Sequence, residues 1–511
     1  MLTTGVDVAD GSGSSHDGVA DTFKFTNGNE KIVLNNDGSG NYDVKSLSAK
    51  DSLKDVSTTD NDILQLNFAL AAGSNIIGAK NIGSGVTIEN IEEIDIIGSG
   101  ANRTVFDNTL KATGLKTLKI SGDFVGFDFN GKVIKDLTKI DATGITSVKS
   151  GVTLDASGAK QSLTIDGPNF AATVKGGAGD DIITAQGSVD GGAGNDIIYY
   201  TGESTVNGDA GDDIIEAAAN AAEGAVSING DAGKDLITVN GEATVNGGDD
   251  DDIITINGAA DVSVDGGSGN DKIIFAGGYA GTGTVINFEN TDILEVNAGT
   301  VNADIAATYN ATAQGLKVVS EATLNLTLAD NASGIAIDIS AAKIDADANI
   351  SITSGTGADT ITLSAGNDTI VFGESKAKNG KDTINKFSVD NDVLDFTAFA
   401  ELKVDKLDVG STAEQVLTAN NKIYQTTINE AITTKDYGGS SDFGDLFATS
   451  GKAFKTDTAN GNKELIVVKG NDVTQIYYVN ATATTLTSGM VDLVAVIGND
   501  GGVTLSATNF A

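Results

Sequence analysis

Between residues 173 and 275 one alternating pattern recurs six times. The phrases are TVKGGAGDDII from Thr173, SVDGGAGNDII from Ser188, TVNGDAGDDII from Thr205, SINGDAGKDLI from Ser227, TVNGGDDDDII from Thr244 and SVDGGSGNDKI from Ser263. Each opens on a short run with a period of two, the mark of a strand with one buried face. A glycine-rich turn follows, then an aspartate, then a second apolar run. The aspartates are Asp181, Asp196, Asp213, Asp235, Asp252 and Asp271, separated by 15, 17, 22, 17 and 19 residues on subtraction. A turn repeated at this interval predicts one coil of a parallel β-solenoid per phrase, and an all-β chain.

A second block lies at 354–396. SGTGADTIT (354–362) runs directly into LSAGNDTIV (363–371), so Asp359 and Asp368 stand nine apart and predict the motif on both sides of the coil. AKNGKDTIN (377–385) adds Asp382, and KFSVDNDVLDF (386–396) closes the block. All nine aspartates are followed two residues later by isoleucine: Ile183, Ile198, Ile215, Ile237, Ile254, Ile273, Ile361, Ile370 and Ile384. Strand parity sends those isoleucines inward and the residue between outward. That outward residue is Thr360, Thr369 or Thr383 in the second block. In the first it is Ile182, Ile197, Ile214, Leu236 or Ile253, then Lys272. An apolar stripe on an outer face calls for cover by another part of the chain or by a neighbouring molecule.

The rest of the chain keeps the strand rhythm without the turn. Residues 1–108 read as a β-rich segment, with DTFKF (21–25), DILQLNF (62–68) and IENIEEIDIIG (88–98). Residues 109–290 read as one solenoid carrying the first block (173–275), and 291–353 as a solenoid spacer. Residues 397–511 read as a separate C-terminal domain. Its segments 413–424 and 441–451 suit short helices, whereas ELIVVKG, TQIYYVN and MVDLVAVIG suit strands.

Composition narrows the chemistry. There are 71 acidic against 32 basic residues, a formal charge of −39, which repels nucleic acid and anionic lipid. Disorder would need low hydrophobicity, and 40% of residues are apolar. Bound cations therefore explain the carboxylates better. No cysteine is present, and His16, in GSGSSHDG, is the single histidine. Thiolate nucleophiles and two-histidine zinc motifs are thus excluded, and no enzyme activity is expected. No run of about 18 apolar residues occurs, so no transmembrane helix is predicted. The first 20 residues lack the basic and apolar regions of a secretory signal, and the chain opens on repeat-like sequence, as a piece of a longer protein would.

Glycine admits positive φ and lets turn carbonyls converge on one point. An aspartate at the end of such a turn adds a carboxylate. The next coil, about 4.8 Å away, brings a second set of oxygens. Hard oxygen donors without nitrogen or sulfur suit Ca2+ better than zinc or magnesium.

The phrases resemble the RTX repeat, G-G-x-G-x-D-x-U-x with U large and apolar. GGAGDDIIT and GGAGNDIIY fit at every fixed position, whereas Asp209 and Asp231 replace the second glycine and Asp250 the third. Direct resemblance covers about a quarter of the chain. It implies multiple Ca2+ ions held by Asp181, Asp196, Asp213, Asp235, Asp252, Asp271, Asp359, Asp368 and Asp382. The remaining oxygens would come from turn glycines: Gly177, Gly179, Gly192, Gly194, Gly211, Gly233, Gly267, Gly269, Gly357 and Gly366. Asp190, Asn207, Asn229, Asn246 and Asp265, just before the turns, could add further oxygens. The ending GVTLSATNFA looks like the uncleaved export region of type I secreted RTX proteins, although a solenoid cap would serve equally. A long Cys-free β-solenoid with this ending is most similar to a bacterial surface-layer (S-layer) protein. The expected partners are copies of itself in a two-dimensional array, with any cell-surface polysaccharide anchor outside this chain. An RTX adhesin or biofilm matrix protein, or the C-terminal part of an RTX exoenzyme, are the alternatives.

Overall fold

The protein was described from a computed structural model. Described residues run unbroken over 151–217, 225–311, 315–373, 379–398, 462–481, 491–498 and 503–510, cover most of 87–148, and are otherwise confined to short strands. Their regular structure is almost entirely β-strand, paired in parallel from coil to coil as a β-solenoid, with one short 3-10 turn at Ala507–Asn509. Two compact units are resolved, residues 1–255 with 267–269 and residues 256–266 with 270–511.

In the first unit the stacking starts well before residue 109. Val6–Val8 pairs with Lys31–Asn36, that strand with Ile63–Ala69, and that with Glu93–Ala101. Glu93–Ala101 carries the ladder on to Thr117–Phe124 and Lys139–Val148. The repeat phrases continue it in strict register: Ile183, Ile198, Ile215 and Ile237 stand above one another. These four and Ile254 have no exposed surface. Burying each is worth roughly 1.5–3 kcal/mol, which is why the residue two after the aspartate is apolar throughout. The alternate positions face outward as parity requires. Ile182, Leu236 and Ile253 keep 44%, 41% and 42% of their surface, and Ile197 and Ile214 are half-buried.

In the second unit, Thr300–Ile305, Thr323–Leu328, Asn349–Thr353, Asn367–Val371 and Val393–Asp395 stack on one side of the coil. Ala336–Asp338, Thr360–Thr362 and Asp382–Asn385 stack in a different sheet. Asp359 and Asp368 therefore lie on different sides, as the nine-residue spacing predicts. The C-terminal strands close this solenoid. Val491–Gly498 adds in parallel to Asp382–Asn385, then pairs antiparallel with Thr474–Ala481, which pairs antiparallel with Asn462–Lys469. Phe396 stacks on Phe372 at 4.2 Å and meets Phe510. The Asn509 amide donates to the carbonyls of Val389 and Asp392 at 2.9 and 3.0 Å.

The helix expected over 413–424 is not formed. Gln415–Leu417 and Ile423–Thr427 are strands, paired with Phe454–Thr456 and with Asn462–Lys469. Cross-strand pairing outweighs the weak local helix preference. The second expected helix, 441–451, lies outside the described residues, as does His16. No described helix is long and apolar enough to cross a membrane.

Candidate metal centre

The aspartates of the first unit form a buried ladder. The main-chain N–H of Asp181 donates to Oδ1 of Asp196 at 2.7 Å, that of Asp196 to Asp213 at 2.7 Å, that of Asp213 to Asp235 at 2.8 Å and that of Asp235 to Asp252 at 2.8 Å. Leu163 begins the series by donating to Oδ1 of Asp181 at 2.9 Å. One oxygen of each carboxylate thus bonds the coil before it. The other is the chemically informative one. Oδ2 of Asp196, Asp213 and Asp235 is buried with no hydrogen-bond partner, whereas Oδ2 of Asp181 accepts the N–H of Gly177 at 2.6 Å. An ionised oxygen left bare in the interior is costly, and buried polar groups ordinarily find a partner.

The first glycine of each turn shows what that oxygen faces. A Cβ built on Gly191 would stand 2.5 Å from Oδ2 of Asp196 and 2.6 Å from the carbonyl oxygen of Gly208. On Gly208 it would stand 2.2 Å from Oδ2 of Asp213 and 2.6 Å from the Gly230 carbonyl. On Gly230 it would stand 2.1 Å from Oδ2 of Asp235 and 2.3 Å from the Gly247 carbonyl. A carboxylate oxygen and a carbonyl of the next coil thus converge on space that any side chain would fill. Carboxylate and carbonyl oxygens, with no nitrogen or sulfur, are the hard donors that Ca2+ takes, so the donors present fit Ca2+. Among the described residues no three acidic, His or Cys side chains gather as a metal site. A cation here would rely on one carboxylate and main-chain oxygens from stacked turns.

The sequence reading placed the carbonyl donors at the second and third turn glycines and passed over the first. In the structure those later glycines hold backbone conformations and close approaches that a side chain would strain. Gly192, Gly194, Gly211, Gly233, Gly267, Gly269 and Gly357 take positive φ. A Cβ on Gly211 or Gly233 would lie 2.0 Å from a carbonyl of the coil before. Gly177 and Gly179 also abut the preceding coil, at Ala159 and Gln161, and Gly366 lies against Ile344. The substitutions that weaken the repeat leave this backbone intact: Asp209, Asp231 and Asp250 have φ of 73°, 72° and 74°, a region aspartate tolerates better than most residues. The signal for the first glycine was present, since Gly176, Gly191, Gly208, Gly230, Gly247 and Gly266 hold that place in all six phrases.

The residues just before the turns pair with one another in this structure. Lys175 pairs with Asp190 at 2.7 Å, Asn207 donates to Asp190 at 2.9 Å, Asn246 to Asn229 at 2.9 Å, and Asn287 to Asp265 at 2.7 Å. They follow an inward valine or isoleucine, so parity turns them outward into a ladder of their own.

Two rungs were missed. In the second unit Asp271 donates from its main chain to Oδ1 of Asp292 at 3.2 Å, and Asp368 likewise to Asp392 at 3.1 Å. Both lack a glycine turn, yet each precedes an apolar residue by two, Leu294 and Leu394, at one coil's distance from its neighbour. On the other side Asp359 donates to Oδ1 of Asp382 at 3.1 Å and accepts from Ile335 at 2.7 Å.

Burial dominates the electrostatics. It pushes the Asp196 and Asp213 carboxyls up to about 7, Asp235 to about 6 and Asp382 to about 8, against the relief given by main-chain donors. A metal-free ladder therefore resists full ionisation near neutral pH.

Two segments of the chain, residues 200–221 and 351–374, match the RTX calcium-binding nonapeptide repeat (4 copies). They fall on the two blocks whose turns carry these aspartates, and they support an RTX-type repeat protein. No curated protein and no solved structure matches the chain.

Proposed function

We propose that this chain is a structural S-layer protein, exported by a type I route and locked into its solenoid by calcium outside the cell. The observation that carries the calcium part is the in-register series of buried, partnerless Oδ2 atoms, each beside a glycine-lined space and a carbonyl of the next coil. Calcium bound by the folded chain alone stabilises it by mass action. Extracellular modules bind at about 10⁻⁴–10⁻³ M, so the chain stays open for export and folds on release. The export reading rests on the RTX match and on the ending after the last repeat.

The array reading is supported by the outward stripe of Ile182, Ile197, Ile214, Leu236 and Ile253. The test is electron microscopy of purified protein brought to millimolar calcium, with Ile214→Asp beside the wild type. Wild-type protein is expected to form two-dimensional sheets, and the variant to fold yet fail to assemble. Fibrous or unordered material from the wild type would favour the adhesin or matrix alternative.

A further inference from the structure

The ladder contains two kinds of rung, and the difference lies in what Oδ2 meets. On Asp196, Asp213 and Asp235 it meets no donor and faces the space above a first glycine. On Asp368 it accepts both the N–H and the hydroxyl of Ser364, at 3.0 and 2.9 Å. On Asp392 it accepts the N–H of Ser388 at 2.7 Å, and on Asp292 the N–H of Glu289 at 2.7 Å. Asp181 is intermediate: its Oδ2 accepts the N–H of Gly177 at 2.6 Å, although Gly176 stands five residues before it. Bulk at that position sets Asp368 and Asp392 apart from all four. Five residues before the aspartate the open rungs have Gly191, Gly208 and Gly230, whereas Asp368 and Asp392 have Leu363 and Phe387, both buried. Before Asp292 the corresponding turn carries Asn287 and the buried Phe288. The space a cation would need is closed by apolar bulk, and the charge it would neutralise is already hydrogen-bonded.

We propose that Asp292, Asp368 and Asp392 are metal-free rungs, in which a main-chain N–H or the Ser364 hydroxyl takes the place of the calcium ion. This rests on the calcium reading above. It makes the Asp368–Asp392 side of the second block free of cations. Asp292 and Asp392 then serve as terminal rungs. Each supplies the Oδ1 that the preceding aspartate's N–H requires, and its own Oδ2 is satisfied within its turn.

The test uses the full chain and calcium alone. Bound ions are counted by native mass spectrometry, and melting temperature is followed at 1 and 10 mM calcium, roughly the extracellular range and above it. Asp213→Asn is expected to lower the count by one, with a melting deficit that grows as calcium rises, because a lost site forfeits mass-action stabilisation. Asp368→Asn and Asp392→Asn are expected to leave the count unchanged, with a deficit equal at both concentrations. Should those two variants fail to fold, Ser364→Ala provides the same reading: unchanged count and a calcium-independent deficit. A count lowered by Asp368→Asn or Asp392→Asn, or a Ser364→Ala deficit that varies with calcium, overturns the proposal. An unchanged count for Asp213→Asn instead removes the calcium reading itself, and the distinction between rungs with it.

Discussion

The turn before Asp213 and the turn before Asp368 occupy the same place in their coils and solve the same problem differently. Both end in an aspartate that is almost wholly buried, and both are followed by an isoleucine in the core. Before Asp213 the chain reads GDAGD, and Gly208 leaves an oxygen-lined space. Before Asp368 it reads LSAGN, and Leu363 with Ser364 fills that space and satisfies the carboxylate. The solenoid can thus neutralise a buried carboxylate with a cation or with its own donors. The choice is made at the first turn position, and the aspartate itself does not reveal it.

Exchanging the two solutions tests this contrast. Leu363→Ala leaves a cavity in the second unit and should cost about 2–5 kcal/mol whether or not calcium is present. Gly208→Ala places a methyl group 2.2 Å from Oδ2 of Asp213. Overpacking of this kind should cost about 1–3 kcal/mol and remove the calcium-dependent part of the local stability. Melting temperatures with and without calcium separate the two. A Gly208→Ala variant with undiminished calcium response would show that the space is not the site.

A smaller effect concerns protons. The folded-state values of Asp196 and Asp213, raised by burial to about 7, exceed the unfolded value near 4. Protonation therefore favours the folded calcium-free chain below the unfolded value, and that support is lost as pH rises through about 7. In excess EGTA the β-sheet signal in circular dichroism should be larger at pH 5 than at pH 8. With saturating calcium the difference should disappear, because the cation holds the carboxylates ionised. Equal signals in EGTA at both pH values would mean that these carboxyls do not limit the metal-free fold.

Much of this was legible in the sequence. The period-two runs, the Asp-x-Ile spacing and the glycine turns define the parallel solenoid, its core isoleucines and the outward stripe, because strand parity leaves each residue one choice of face. The nine-residue offset of Asp359 and Asp368 likewise places them on two sides. Less legible was what each oxygen meets. Asp368 matches the motif at the aspartate, at Gly366 and at Ile370, yet Ser364 satisfies it. Only the folded turn brings a hydroxyl four residues back to 2.9 Å. Asp292 and Asp392 were passed over because their turns lack glycine, although their ladder bonds depend on coil spacing alone. The segment 413–424 suited a helix, yet it holds the strand 415–417 and the start of 423–427, because their partners lie well along the chain, at 454–456 and 465–469.

Calcium dependence of folding tests the central claim most directly: the bare Oδ2 atoms of the first block are cation ligands. Circular dichroism spectra and melting curves of the full chain would be recorded at pH 8 in excess EGTA and in millimolar calcium. The expected result is a weak, largely unfolded spectrum in EGTA that converts to a cooperative β transition on adding calcium. Identical spectra and coincident melting curves in the two conditions would contradict it.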